Sequence, residues 1–470
     1  MPTPSAKDHE PSAPSLRRAL GPGMALAIVV GNVIGSGIFL KPGSIAAEAG
    51  DFRLILSAWL VGGAVCVLGA LCFSELAAML PRTGGLYAFL KEAYGKPAGF
   101  LFSWNEFLFN RPASIGALSV AFAGALGLTM GRTLTQLETI LLALGLILLL
   151  TWVNIRGVLW GGWVQGGTTL VKASFLGLVA LLPFLMAPIT ETGIDWANYS
   201  SRVEPSGDMA GGTRFGLVLL SVMWAYNGWH GITPVAEEVR DPERNIPRAM
   251  IGGVGVLIVL YVSANIAYHG VLSMDEMAAA GPHAAETMVA ALLGPFGAAA
   301  MAAVVMCSTF GGINSNLLLS TRVPFALGRD RLLAPVLGTV HAAYRTPFVA
   351  IIVQAGMASL LVIVSGLLIE FLGWSGEKTI FQILTDFIIF ANSIFYVLAA
   401  AALFVLRRKR PNWNRPYRTW GYPVVPVLYL CFYFWFLTQV YLGKPFEASA
   451  GVVLISTGIP VYWILRRSRR

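Results

Sequence analysis

The chain has 470 residues, 56% hydrophobic and only 12% charged, with a mean hydropathy of +0.69. Soluble domains carry about 25% charged residues, so a soluble enzyme, a secreted disulfide scaffold and a disordered protein are all excluded. The formal net charge of +9 does not point to nucleic acid, because the basic clusters at 407–410 and 466–470 each follow an apolar run. Cytoplasmic flanks of membrane helices look like that.

The apolar runs are about 18–25 residues long, enough to cross a hydrocarbon core of about 30 Å. Lipid offers no partner to open backbone, and the runs are too long for barrel strands, so they are helices. After a polar tail over 1–20, about twelve spans are predicted: 22–48, 54–79, 97–127, 134–152, 163–187, 212–238, 248–271, 287–321, 347–369, 380–406, 422–442 and 447–465. Basic residues collect in alternate connections, while Glu191, Asp195, Glu204 and Asp208 share an intervening one. Both termini are therefore expected in the cytoplasm, with the bilayer as the chain's main partner. The four cysteines lie inside apolar runs and the five histidines are scattered, neither with metal-ligand spacing. No metal, no cofactor and no catalytic constellation is expected, so the chain does not read as an enzyme.

Two spans carry polar interruptions. The first reads Gly31-Asn-Val-Ile-Gly35-Ser36-Gly37, and the sixth reads Trp224-Ala-Tyr226-Asn227-Gly228-Trp229-His230-Gly231. Close packing through small residues would also use glycine. Asn32, Ser36, Asn227 and His230 are costly for packing alone, so two discontinuous helices are expected, each opening a five-helix half. A break at mid-membrane frees backbone groups that something polar must satisfy. The N–H groups at Gly35, Ser36 and Gly37 suit a carboxylate. The carbonyls of Val33 and Ile34, and those around Trp224 and Asn227, suit an ammonium group. A solute carrying both charges a few ångströms apart is an α-amino acid.

With those residues in view, the chain resembles the amino acid–polyamine–organocation superfamily and, within it, the L-type amino acid transporter branch. The resemblance rests on Gly35-Ser36-Gly37-Ile38-Phe39, Phe73-Ser-Glu75, Pro81 through Tyr87, Asn110-Arg111-Pro112, Trp224 through Trp229, Glu237-Glu238, Ser308 through Asn314, and Arg415-Pro416. It runs from about residue 20 to 465. It implies an all-α LeuT-type fold: a first repeat over 21–190, a second over 191–410, and two further helices with a basic C-terminus over 411–470. It also implies sodium-independent exchange of neutral L-amino acids at the plasma (inner) membrane, with proton-coupled symport as the alternative. Eukaryotic members bind a heavy chain through a cysteine between spans three and four. That loop here (127–132) has none, so no disulfide-linked heavy chain is expected. Position 227 is asparagine where relatives carry glycine, alanine or aspartate, which argues against cationic substrates.

Individual residues admit more than one reading. Lys172 lies mid-span, where an ammonium is costly and functional by default. The resemblance sets it between the first and eighth helices, where it would replace a coupling sodium by donating to carbonyls near Gly31 and to Ser308 or Thr309. It could instead carry a coupled proton. Trp224 is either a gate over the substrate or packing; Tyr226 and Asn392 are further pocket candidates, and Asn392 could simply bond a neighbouring helix. Arg111 either pairs with Glu106 or touches a substrate side chain. Glu75, Glu237 and Glu238 are read as an inner gate opposite Arg82, Arg240 and Arg244, or as a solvated face.

Overall fold

The computed structural model describes residues 16–35, 37–187, 193–205, 209–372 and 380–467, with backbone alone over 368–372 and 380–388. Ser36, Glu191 and Asp208 lie outside the described residues. Helix α1 (Pro22–Val33) opens on proline, whose missing N–H is harmless there. It stops before Ile34, which is extended at ψ 90°, and helical structure resumes with α2 (Gly37–Leu40) and α3 (Pro42–Ala49). Asp51 then caps α4 (Phe52–Met79) by accepting from the N–H groups of Arg53 and Leu54.

Next come α5 (Leu86–Tyr94) and α6 (Lys96–Trp104); the latter runs through a π-helical turn (Asn105–Asn110) into α7 (Arg111–Thr129). Pro112 has no N–H to return to the preceding turn, and the helix widens there. A capping box of Thr135 and Glu138 starts α8 (Gln136–Arg156), followed by α9 (Val158–Met186). Then α10 (Gly211–Tyr226) ends in a turn and a 3-10 segment (Thr233–Glu238). The long α11 (Pro242–Val271) follows, then the short α12 (Met274–Ala280) and α13 (Ala284–Leu293). Beyond these lie α14 (Pro295–Ser320), α15 (Arg322–Arg329), α16 (Phe348–Leu372) and α17 (Ile380–Lys409). The chain closes with α18 (Val424–Gly443), α19 (Pro445–Ser456) and α20 (Gly458–Arg467).

The protein is an all-helical, multi-pass membrane protein. Among the described residues eleven stretches are long and apolar enough to cross a bilayer, and they coincide with eleven of the twelve expected spans. The exception is the sixth. There α10 ends after 16 residues, too few to span on its own. Outward-facing side chains are apolar, as at Trp163 (70% exposed) and Phe434 (78%), which in water would be a liability and in lipid is the ordinary surface. Inside, α1 is enclosed by α9, α11 and α14.

Ion pairs gather where the N-terminal segment enters the bundle. Ala19 and Leu20 donate to the Glu238 carbonyl, while the Glu238 carboxylate takes both arms of Arg322, at 2.8 and 3.1 Å. Glu237 meets Arg329 at 2.9 Å, and Lys91 meets Asp330 at 2.5 Å. Tyr87 also donates to Asp330, and burial, then that bond, pushes its hydroxyl pKa up. Glu75 takes Arg407 at 2.7 Å, Arg415 at 3.5 Å and the Thr419 N–H at 2.6 Å. The three glutamates are therefore paired with arginines distant in sequence, and no ion pair with the nearby Arg82, Arg240 or Arg244 is found among the described residues. Glu238 and Arg322 are both fully buried. Removing one charge strands the other, so Glu238→Gln should destabilise the protein by about 3–5 kcal/mol. Thermal unfolding of the detergent-purified protein measures this.

Candidate functional site

A cavity of about 100 Å³ lies between the end of α1 and the end of α10. Several waters or one small solute fill such a space. Asn32, Val33, Gly35 and Gly37 form one wall, and Trp224, Ala225, Asn227 and Gly228 face them. The π turn and α7 contribute Asn110, Arg111, Ser114 and Ala117, and α14 adds Gly312 and Asn316. A second hollow of about 280 Å³ sits among the ion pairs near Tyr87, Lys91, Glu237 and Arg329. Its polar walls are largely committed to one another, whereas the smaller cavity borders interrupted backbone.

The segment joining α1 to α2 takes donors from three helices. Lys172 of α9 is fully buried and donates to the carbonyls of Gly31 at 3.0 Å and Ile34 at 2.8 Å. Tyr261 of α11 reaches the Val33 carbonyl at 2.9 Å and the Ala225 carbonyl at 3.2 Å. Asn32 donates to the Gly228 carbonyl at 2.8 Å and accepts from Ser315 of α14 at 2.7 Å. The Trp224 carbonyl accepts from the Asn227 N–H at 3.1 Å. The Gly228 carbonyl takes a second donor, the Gly231 N–H at 2.8 Å, whereas the Gly31 and Ile34 carbonyls have Lys172 alone as side-chain donor among the described residues.

Several sequence candidates sit elsewhere. Tyr226 turns from the cavity, its buried hydroxyl donating to the Trp59 carbonyl at 3.3 Å. Asn392 accepts from Asn105 at 3.2 Å, joining α17 to the π turn. Thr309 donates to the Val305 and Met306 carbonyls of its own helix, and the buried Ser308 hydroxyl has no partner among the described residues. Asn227 lines the cavity and accepts from Tyr396 at 2.8 Å. Arg111 does two things: its Nε meets Glu106 at 2.6 Å, and the residue lines the cavity. Sequence reasoning missed Tyr261 and Asn316. Neither stands in a local pattern; only a polar residue recurring inside an apolar run marks them.

A bundle of membrane helices around a solute-sized polar cavity is the architecture of a multi-pass membrane transporter. The family model described as amino acid permease matches residues 20–465. The chain belongs to that family, the amino acid transporters of the amino acid–polyamine–organocation type, and is not an enzyme. It is 32% identical over 461 residues to the serine/threonine exchanger SteT of Bacillus subtilis, covering 97% of this chain and 98% of that one. It is 31% identical over 457 residues to the human Asc-type amino acid transporter 1, covering 96% and 82%. Human large neutral amino acids transporter small subunit 2 is 32% identical over 455 residues, covering 96% and 81%.

Proposed function

We propose that this protein is a sodium-independent exchanger of neutral L-amino acids at the plasma (inner) membrane, working by alternating access. In this reading residues 21–190 and 191–410 are inverted repeats of a LeuT-type fold, and their opening helices are discontinuous. The helices of 411–470 follow, both termini are cytoplasmic, and no disulfide-linked heavy chain is needed. The N–H groups of Gly35, Ser36 and Gly37 hold the carboxylate. Because α2 has only four residues, direct hydrogen bonds matter more here than a macrodipole, which accumulates along a long helix. The backbone carbonyls of Val33 and Ile34, with those at Trp224 and Asn227, hold the ammonium.

The observation that carries the reading is the Lys172 ammonium bonded to the Gly31 and Ile34 carbonyls. A fixed positive charge against the carbonyls of the first interruption takes the role of a coupling cation, so no sodium is required. Ser308 and Thr309 lie on α14, the other side of that junction, where α9 and α14 are in contact. The deciding experiment is uptake into proteoliposomes preloaded with amino acids, with and without sodium and proton gradients. The reading expects uptake that needs internal substrate and ignores both gradients. Net accumulation into empty liposomes driven by protons would replace it with symport.

Trp224 borders the cavity on the face opposite Gly35, where it closes over bound substrate. Trp224→Ala should therefore lower exchange turnover by more than it weakens equilibrium binding, because closure commits the substrate to transfer. Measuring the two separately checks this, and unchanged turnover would leave Trp224 with a packing role alone.

A further inference from the structure

A guanidinium inside a membrane helix is costly, and the Arg111 side chain is only partly occupied by the protein. Its Nε donates to Glu106 at 2.6 Å, and its Nη1 donates to Asn316 Oδ1 at 3.0 Å. Asn110 donates to the other Glu106 oxygen, so the carboxylate is satisfied without using the rest of the guanidinium. Asn316 is fixed in turn, its amide donating to the Gly312 carbonyl at 2.9 Å. No partner for Nη2 is found among the described residues. The Arg111 side chain is 18% exposed against 5% for Glu106, and of the two it is Arg111 that lines the cavity. The surrounding wall is made of the small Ala113, Ser114 and Ala117 with the apolar Leu118.

We infer that Arg111 selects the substrate's side chain, admitting short, neutral ones that carry a hydrogen-bond acceptor, a hydroxyl or carboxamide oxygen. The inference rests on reading this cavity as the amino acid site. Arg111 and Glu106 together are neutral, so an acidic side chain gains no net attraction, and a cationic one meets only donors. An aliphatic side chain of the same shape would cover the free N–H groups without replacing the water they lose. A site built to bond a hydroxyl rejects the analogue that lacks it. Glu106 is a positioning residue that aims the guanidinium.

The test compares equilibrium binding of L-threonine with isosteric L-valine, and of L-serine with L-2-aminobutyrate, to the full-length purified protein by calorimetry. Each hydroxyl should be favoured by about tenfold or more, as a hydrogen bond to a charged group implies. Ratios near one in the unmodified protein overturn the inference whatever any variant does. In the neutral double variant Glu106→Gln/Arg111→Gln the ratios should fall towards one. Arg111→Lys keeps a charge opposite Glu106, and with it the fold, but loses the planar fork, so it should lose most of the preference. Taking ratios within each protein cancels any general loss of affinity. Full preference retained in either variant removes Arg111 from the role. If no amino acid binds at all, the failure belongs to the functional reading and not to Arg111.

Discussion

A Gly37→Val protein is expected to insert, purify as a single species and exchange nothing. A Cβ at position 37 would stand 2.7 Å from the Ala225 Cα and 2.9 Å from its Cβ. The nearest obstacle is backbone of α10, which cannot rotate aside as a side chain can. The start of α2 and the end of α10 would have to separate, and these are the two facing walls of the cavity. Displacement of about 1 Å in a positioning element costs about 100-fold, and valine demands more. Gly35 is different. Among the described residues a Cβ there meets only the Val33 carbonyl oxygen, at 3.7 Å, which leaves room for Gly35→Ala. Loss of exchange in Gly35→Ala would then report on the solute's approach to the backbone. Exchange into preloaded liposomes, alongside size-exclusion profiles, measures both, and normal uptake by Gly37→Val would sink the carboxylate assignment.

Lys172→Ala is expected to slow exchange by about tenfold or more and to make it differ between the two directions. The substitution leaves the Gly31 and Ile34 carbonyls without their donor, at about 1–3 kcal/mol for each buried group left unpaired. The lysine stem also fills space: a Cβ on Gly311 would meet its Cε at 3.0 Å, and one on Gly31 would collide with Thr169 and Gln165. The side chain thus ties α1 and α9 to α14. In the alternating-access reading that tie has to be made and remade as the two ends of the cavity open in turn, so its loss is expected to alter the two half-cycles unequally. Lys172→Met separates the contributions, since it keeps the stem and drops the ammonium. It should be as slow as alanine. Exchange rates measured from each side in oriented liposomes decide this, and a wild-type Lys172→Met protein would reduce the lysine to a space-filler.

The spans were legible because a bilayer imposes one demand on every crossing segment, about twenty apolar residues, and that demand is local. The sixth span shows the limit of that reading, since its length was counted through Asn227 and Gly228 although α10 stops at Tyr226. Lys172 announced itself as a charge where charges are expensive, while its place against the carbonyls near Gly31 came only from the family resemblance. Thr309 did not appear among its bonded partners because a hydroxyl in a helix returns readily to the carbonyl a turn earlier, and the Ser308 hydroxyl has no bonded partner among the described residues. Partner choice among charges was not legible. Glu75 finds Arg407 and Arg415 more than 300 residues away, a pairing fixed by how α17 and its following loop dock on α4. Tyr261 was invisible for the same reason, one tyrosine among the aromatics of an apolar helix.

That tyrosine has a consequence of its own. A phenol has a single proton, and the Tyr261 oxygen stands 2.9 Å from one acceptor, the Val33 carbonyl, and 3.2 Å from another, the Ala225 carbonyl. It serves one fully at a time. If the end of α1 slides relative to the end of α10, the proton swings from the first oxygen to the second, and the number of satisfied buried groups stays the same. Two chain ends joined by ordinary one-to-one bonds would have to break something to move. Joined through a shared proton, they form a pivot, and a phenylalanine of nearly equal volume would turn that pivot into a plug.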